Sequence, residues 1–338
     1  MFQALLAGIR VMRWLLISSI VFAGSAISLA KGPKFTDIKS AGVDYGIQGE
    51  YVGSLKTKQG AQKYAVQLIG LGNHHFRVVG YRGGLPGAGW NGKGPVQVQA
   101  DAELKQGKLV FEGDQRRGVL QDGRLVVDLG PDGTNDGELK RVVRQSPTLG
   151  KTDPNAVVLF NGKGAAQFEG GRMTKDGLLM EGARSQKKFQ SHHLHIEFQL
   201  PFQPEDRGQG RGNSGIYVQG RYEVQMLDSF GLAGKHNECG GIYEVKDPDL
   251  NMCFPPLTWQ TYDIAFTAAV FDKTGKLTRP ARITVRHNGV LVHDDVEMPR
   301  DRSTRAAPLK PGPQPGPIYL QNHGCPVRYR NIWVVETK

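Results

Sequence analysis

Cysteine is nearly absent: Cys239, Cys253 and Cys325 are the only three in 338 residues. They form neither a CxxC pair nor zinc-finger spacing, so a disulfide framework and a structural zinc module are both excluded. Cys239 and Cys253 could pair across a short excursion with Cys325 left over, and the sequence leaves that pairing open. Helical periodicity is equally scarce. Almost no stretch repeats apolar residues every 3.6 positions over three turns, which argues against a helical architecture. Long apolar runs are missing too, apart from "WLLISSIVFAGSAISLA" at residues 14–30. That run is short for a membrane span, which needs about 20 residues. Arg10 and Arg13 precede it, and Ser28 and Ala30 suit a signal peptidase. Residues 1–30 therefore read as a signal peptide, with "KGPKF" opening a mature chain exported to the periplasm or the extracellular space. An uncleaved anchor is the alternative. Nucleic-acid motifs are lacking as well. The net charge of +11 comes from basic residues scattered among acids, so it reads as a solvated surface and no nucleic-acid partner is expected.

Glycine is abundant, with 45 residues set among short β-rich runs. "YAVQLIGL", "FRVVGY", "VQVQADAEL", "KLVFEG", "RLVVDL", "HLHIEFQL", "YEVQML", "ARITVRHN" and "NIWVV" are bounded by turn residues and read as strands. The pattern predicts an all-β protein, sandwich or barrel. At residues 144–157, "RQSPTLGKTDPNAV" gathers Pro, Gly, Ser and Asp between apolar runs and marks a break. It separates a β-rich N-terminal domain, residues 31–148, from a second domain, residues 155–338. In the second, "QPEDRGQGRGN" and "PRDRSTRAAPLKPGPQPGP" read as surface loops. Asn288-Gly289, between "ITVRH" and "VLVHDD", reads as a tight hairpin turn. The glycines of the first loop lack a strand–turn–helix context, so no dinucleotide site is expected there.

One strand carries an ordered polar row. In "RYEVQMLD", residues 221–228, alternation puts Tyr222, Val224 and Met226 on one face and Arg221, Glu223 and Gln225 on the other. Taken alone, this is the solvated face of a half-buried strand. Near the C-terminus, Tyr319, Gln321 and His323 share a face by the same period. His193 and His195, two apart, have a spacing that can place both imidazoles on one metal ion, yet no third ligand can be named. Trp90, in "GGLPGAGWNGKG", could stack on a sugar, although an aromatic that folds back onto its own loop is commoner.

The run of motifs "LFNGKG", "HLHIEFQLP", "GNSGIYVQGRYEVQMLDSFG", "NECGGIYEV", "PPLTWQTYDIAF", "RPARITVRHNGVLVHDDVEM" and "IYLQNHGCPVRYRNIWV" closely resembles the 3-keto-disaccharide hydrolase family. These domains are also described as 3-keto-α-glucoside 1,2-lyase/3-keto-2-hydroxy-glucal hydratases. The resemblance covers residues 157–336. It implies a concanavalin A-like jelly roll, two antiparallel sheets with one face lined for a sugar. The unit before it is similar to one preceding this domain in exported bacterial relatives, and its role is unreadable. The implied activity is net hydrolysis of a 3-keto-glycoside, such as a 3-keto-disaccharide, by β-elimination and hydration. A ketone at C3 acidifies the C2 hydrogen, loss of the C1 oxygen gives an enone, and water addition gives 3-keto-glucose. The site needs a base at C2, a donor to the departing oxygen and a stabiliser for the enolate.

The resemblance makes Glu223 the candidate base and His323, whose ordinary pKa suits proton exchange near neutrality, the candidate acid. Arg221, Gln225, Gln321, Asn213, Tyr243 and Glu238 are candidate substrate contacts, and Asp228 a turn cap. Ser214 is assigned a turn, since "GNSG" lacks a nucleophile-elbow pattern. The family has Asp within "LQDHG" where this chain has Asn322, so a charged ligand at that position is not expected. No cofactor is certain; a divalent cation could stabilise the enolate, its ligands unknown. Two alternatives stay open: a non-catalytic carbohydrate-binding protein, and a conventional glycosidase with paired carboxylates.

Overall fold

A computed structural model describes residues 32–93, 98–113, 116–128 and 136–337. The expected signal peptide lies outside these residues. The described chain is all-β apart from a short helix, Gly42–Ile47, and a 3-10 turn, Gly208–Gly210. No helix among the described residues is long and apolar enough to cross a membrane.

The first architecture is a closed antiparallel barrel. Its strands are Gly49–Thr57, Gly60–Gly72, His75–Arg82, Val98–Lys105, Lys108–Gly113, Arg116–Gln121, Arg124–Asp128 and Gly137–Val142. Each pairs with the next, and the last closes on the first with Glu50 opposite Val142. Closure leaves no open edge, the usual liability of an isolated sheet. Tyr51, Leu55, Leu68, Phe76, Leu109, Phe111, Leu125 and Leu139 fill the barrel. Phe111 lies opposite Gly118, where an added Cβ would come within 2.1 Å of the ring. The glycine makes room for the aromatic.

The second architecture is a two-sheet sandwich, as the resemblance implies. One sheet runs in the order Val157–Phe160, Arg328–Glu336, His192–Gln199, Trp259–Thr267, Arg282–His287, Val290–Glu297, with Leu179–Met180 also paired to Arg328–Glu336. The other runs Phe168–Glu169, Ala183–Phe189, Gly316–Leu320, Ser214–Val218, Tyr222–Met226. Asn288 and Gly289 both have positive φ, +50° and +80°, and form the expected hairpin turn. Leu194, Ile196, Phe198, Ile216, Val224, Met226, Ile264 and Leu320 pack between the sheets. Each such side chain contributes about 1.5–3 kcal/mol through removal from water. The same cluster takes in Ile69, Val79 and Tyr81 from the barrel, so one apolar core runs across both architectures.

The connecting segment is bolted to the first sheet by polar contacts. Thr148 donates to Asp263 (2.8 Å), the Gly150 N–H to Glu197 (2.5 Å), and Trp333 Nε1 and Asn331 Nδ2 both donate to the Lys151 carbonyl (2.9 Å each). His195 sits beneath this segment, stacked on Trp333 and hydrogen-bonded to Asp263 at 2.6 Å. His193, by contrast, is exposed. Among the described residues no group of three or more His, Cys, Asp or Glu is placed to hold a metal ion. All three cysteines are buried free thiols, and Cys239 lies 3.2 Å from the Tyr262 hydroxyl. Trp90 packs on Tyr81, ring centroids 4.9 Å apart, so it folds back onto its own unit.

Candidate active site

The polar row of residues 221–225 lies on the face of the five-stranded sheet turned away from the core, yet it is buried. Glu223 is 2% exposed and Gln225 1%. Two segments cover the free edge of the strand. Residues 240–243 pair with it on one stretch: the Gly240 N–H donates to Gln225, the Gln225 N–H to Gly241, and the Tyr243 N–H to Glu223 (2.9–3.1 Å). The Pro-rich loop supplies Thr304, whose hydroxyl accepts the Glu223 N–H at 2.9 Å. A strand face that alternation assigns to solvent is thereby roofed.

Under this roof is a cavity of about 300 Å³ lined by Gln209, Asn213, Tyr217, Glu223, Gln225, Tyr243, Arg305, Ala306, Gln321 and His323. The volume is at the small end for ligand sites, which run from about 300 to 1,000 Å³. Six of the eight expected site residues line it: Glu223, His323, Gln225, Gln321, Asn213 and Tyr243. The other two do not. Arg221 is turned into the Pro-rich loop, donating to the Lys310 and Gln219 carbonyls (2.8 and 3.1 Å). Its place after the Gly220 turn swings it off the row. Glu238 caps its own loop, accepting the Gly234 and Lys235 N–H groups (2.9 and 3.1 Å). Burial pushes its pKa up, against those two hydrogen bonds. Asp228 is more than a turn cap: Arg211 donates to it at 2.7 Å in a buried ion pair. Ser214 opens a strand and donates to the Gln321 carbonyl (2.8 Å), holding the loop that carries Gln321 and His323.

Tyr217 is a lining residue that strand alternation concealed among the apolar letters of "GIYV". It lies opposite Glu223 in the hairpin, and its hydroxyl donates to Glu223 Oε2 at 2.7 Å. Gln321 Nε2 donates to the same hydroxyl at 3.2 Å. Gln225, with its amide nitrogen toward its acceptors, lies 3.2 Å from Glu223 Oε1. Burial pushes the Glu223 carboxyl up to about 8; the Tyr217 hydrogen bond opposes this and the charge of Glu244 adds to it. Tyr217 is driven higher still, by burial and then by the Glu223 charge, so it stays a neutral donor. Gly215 gives Glu223 its place, since a Cβ there would fall 1.9 Å from Glu223 Oε1. The buried Asn213 Oδ1 has no protein partner and can accept from a bound hydroxyl or water.

The lining thus offers one carboxyl, held largely protonated at neutral pH, one imidazole, two phenols, a guanidinium and several amides. Hard divalent cations prefer several ionised or carbonyl oxygens, and this donor set fits one poorly. It suits a polyhydroxylated ring: amides for hydroxyls, and a carboxyl poised to exchange a proton near neutrality.

A β-sandwich with a small cavity lined by amides, phenols and one carboxyl is the kind of site that can hold a sugar. Residues 155–335 match the model of the 3-keto-alpha-glucoside-1,2-lyase-like domain, and the chain belongs to that family. Among solved structures, it is similar to a proposed glycosyl hydrolase of Parabacteroides distasonis at 33% identity, covering 54% of this chain and 84% of that one, with a TM-score of 0.49. A second proposed glycosyl hydrolase of the same organism is 20% identical, over 54% of this chain and 99% of that one, with a TM-score of 0.38. No curated protein matches.

Proposed function

We propose that the protein cleaves 3-keto-glycosides by elimination and hydration. The observation that carries this reading is the burial of Glu223 in a polar cavity of about 300 Å³, where loss of solvent pushes its carboxyl up to about 8. A glycosidase of the two-carboxylate type needs a second acid across the scissile bond. Glu223 is the only Asp or Glu among the lining residues, which favours chemistry that uses one base.

In this reading Glu223, ionised, removes the C2 proton, and the C2–H electron pair becomes the C2–C3 π bond of an enolate. When the enolate collapses, the C3 carbonyl re-forms, a C1–C2 double bond appears and the C1–O bond breaks. His323 gives a proton to the departing oxygen. Water then adds its hydroxyl to C1, giving its proton to His323, while Glu223 returns a proton to C2, so the sum is hydrolysis to 3-keto-glucose and both groups are reset. Tyr217 and Gln225 hold Glu223 in place, and Gln321, Asn213 and Tyr243 contact the sugar. We also infer that the protein works outside the cytoplasm, from its N-terminal segment; cell fractionation that recovered it only from the cytosol, with Met1 retained, would overturn this.

The test incubates purified protein with a 3-keto-disaccharide such as 3-keto-trehalose and follows 3-keto-glucose. Product is expected from the wild type, with turnover reduced at least about 10²-fold in Glu223→Gln at unchanged thermal midpoint. Full activity of that variant removes Glu223 from the mechanism. Binding of unmodified glycans with no turnover of 3-keto-glycosides would favour a lectin instead.

A further inference from the structure

Enolate chemistry needs a stabiliser for the C3 oxygen, and Arg221 does not reach the cavity. Arg305 does, as the one lysine or arginine among the lining residues. Its position is tied to that of Glu223 at three points. The Thr304 N–H donates to the Arg221 carbonyl at 3.0 Å, and the Thr304 hydroxyl accepts the Glu223 N–H. The third is Tyr217, whose hydroxyl lies 3.1 Å from the Arg305 carbonyl as well as 2.7 Å from Glu223. The next residue, Ala306, also lines the cavity and holds φ at +58°. A left-handed alanine costs about 1–2 kcal/mol, and such strain persists where the surroundings impose it.

The guanidinium itself is loosely engaged. Nη1 lies 3.4 Å from Glu244 Oε1 in a pair whose Arg305 side chain is 73% exposed. An exposed pair of this kind is worth at most about 1 kcal/mol, so Arg305 can turn to a ligand at small cost. Arginine has five N–H donors and stays charged at any working pH.

We propose that Arg305 is a catalytic residue that binds the enolate oxygen formed when Glu223 takes the C2 proton. This rests on the reading given under Proposed function. As the C2–H pair forms the C2–C3 π bond, the carbonyl π pair moves onto the C3 oxygen, and the Arg305 N–H groups hydrogen-bond to it. No proton passes to the oxygen, and the charge returns when the C1–O bond breaks.

The test measures kcat and KM on the 3-keto-disaccharide for wild type, Arg305→Ala, Arg305→Lys and Glu244→Gln, with the alanine variant also assayed in added guanidinium chloride. Loss of one oxyanion donor costs about 10²–10³ in kcat, and that loss is expected for Arg305→Ala, with KM changed far less. Arg305→Lys and free guanidinium are expected to restore part of it. Assayed above pH 8, where Glu223 is ionised with or without the neighbouring charge, Glu244→Gln is expected to stay within about fivefold of wild type, the scale of an exposed ion pair. Equal losses in Glu244→Gln and Arg305→Ala would mean that the rim pair matters and the clamp does not. An Arg305→Ala variant at wild-type kcat overturns this inference alone; an inert wild type overturns the proposed function and this inference together.

Discussion

One hydrogen bond sets the working range of Glu223 against the effect of its burial. The Tyr217 hydroxyl, at 2.7 Å, favours the ionised carboxylate, while loss of solvent and the Glu244 charge favour the acid, leaving its pKa at about 8. Activity that needs the carboxylate should therefore rise with pH up to and through about 8. Tyr217→Phe removes the bond that lowers the pKa, so the ascending limb of kcat/KM against pH should move upward. A limb that stays put would mean that another group sets it. Strand alternation was enough to put Glu223 and Gln225 on one face. Tyr217 was hidden because tyrosine in a β-rich run reads as core as readily as site. Arg305 was hidden because a Pro-rich loop carries no period from which a direction can be read.

At the scale of elements, the hairpin Ser214–Val218/Tyr222–Met226 is shaped by a missing side chain. Gly215 lies beside Gln225 in the register, and Glu223 occupies the space its Cβ would fill. Gly215→Ala should displace the Glu223 carboxyl by about the 1 Å that can cost 10²-fold in turnover. Stability should fall by only about 1–3 kcal/mol, the usual cost of overpacking. Unchanged kinetics, with a folded protein, would show that Glu223 need not lie where it does. Local signals such as Asn288-Gly289 were legible because turn chemistry acts over two residues. Closure of the barrel was not, because pairing Glu50 with Val142 joins residues far apart in sequence. Roofing of the polar row by residues 240–243 and Thr304 is of the same kind, and it turned an apparently solvated face into a cavity wall.

The whole molecule is joined by the shared core and by the polar bolts under residues 146–152, with His195 at their centre. Burial disfavours the charged imidazole, but the hydrogen bond it donates to Asp263 and the Glu197 carboxylate 3.8 Å away outweigh it and raise the His195 pKa. Its contribution to stability is then complete below about 6.5, the ordinary histidine value, and is lost as pH rises through the raised folded value. Glu197 behaves oppositely. Despite burial, the nearby His195 imidazole and hydrogen bonds from Asn331, Gly150 and Arg330 hold it at about 2. Its contribution is present above its ordinary value of 4.5 and is lost as pH falls toward 2. The stability gap between wild type and His195→Gln, followed by chemical denaturation across pH, should be widest at about pH 5–6 and close on the alkaline side. A gap that widens with pH would mean that His195 is buried neutral.

The account stands on removal of the C2 proton by Glu223. The most direct test compares a 3-keto-disaccharide carrying deuterium at C2 with its unlabelled form, following release of 3-keto-glucose by wild type and Glu223→Gln. A primary isotope effect on kcat/KM in the wild type, with the label washed out to solvent and both lost in Glu223→Gln, is the predicted result. Release of 3-keto-glucose with no isotope effect and with the C2 deuterium fully retained would contradict it.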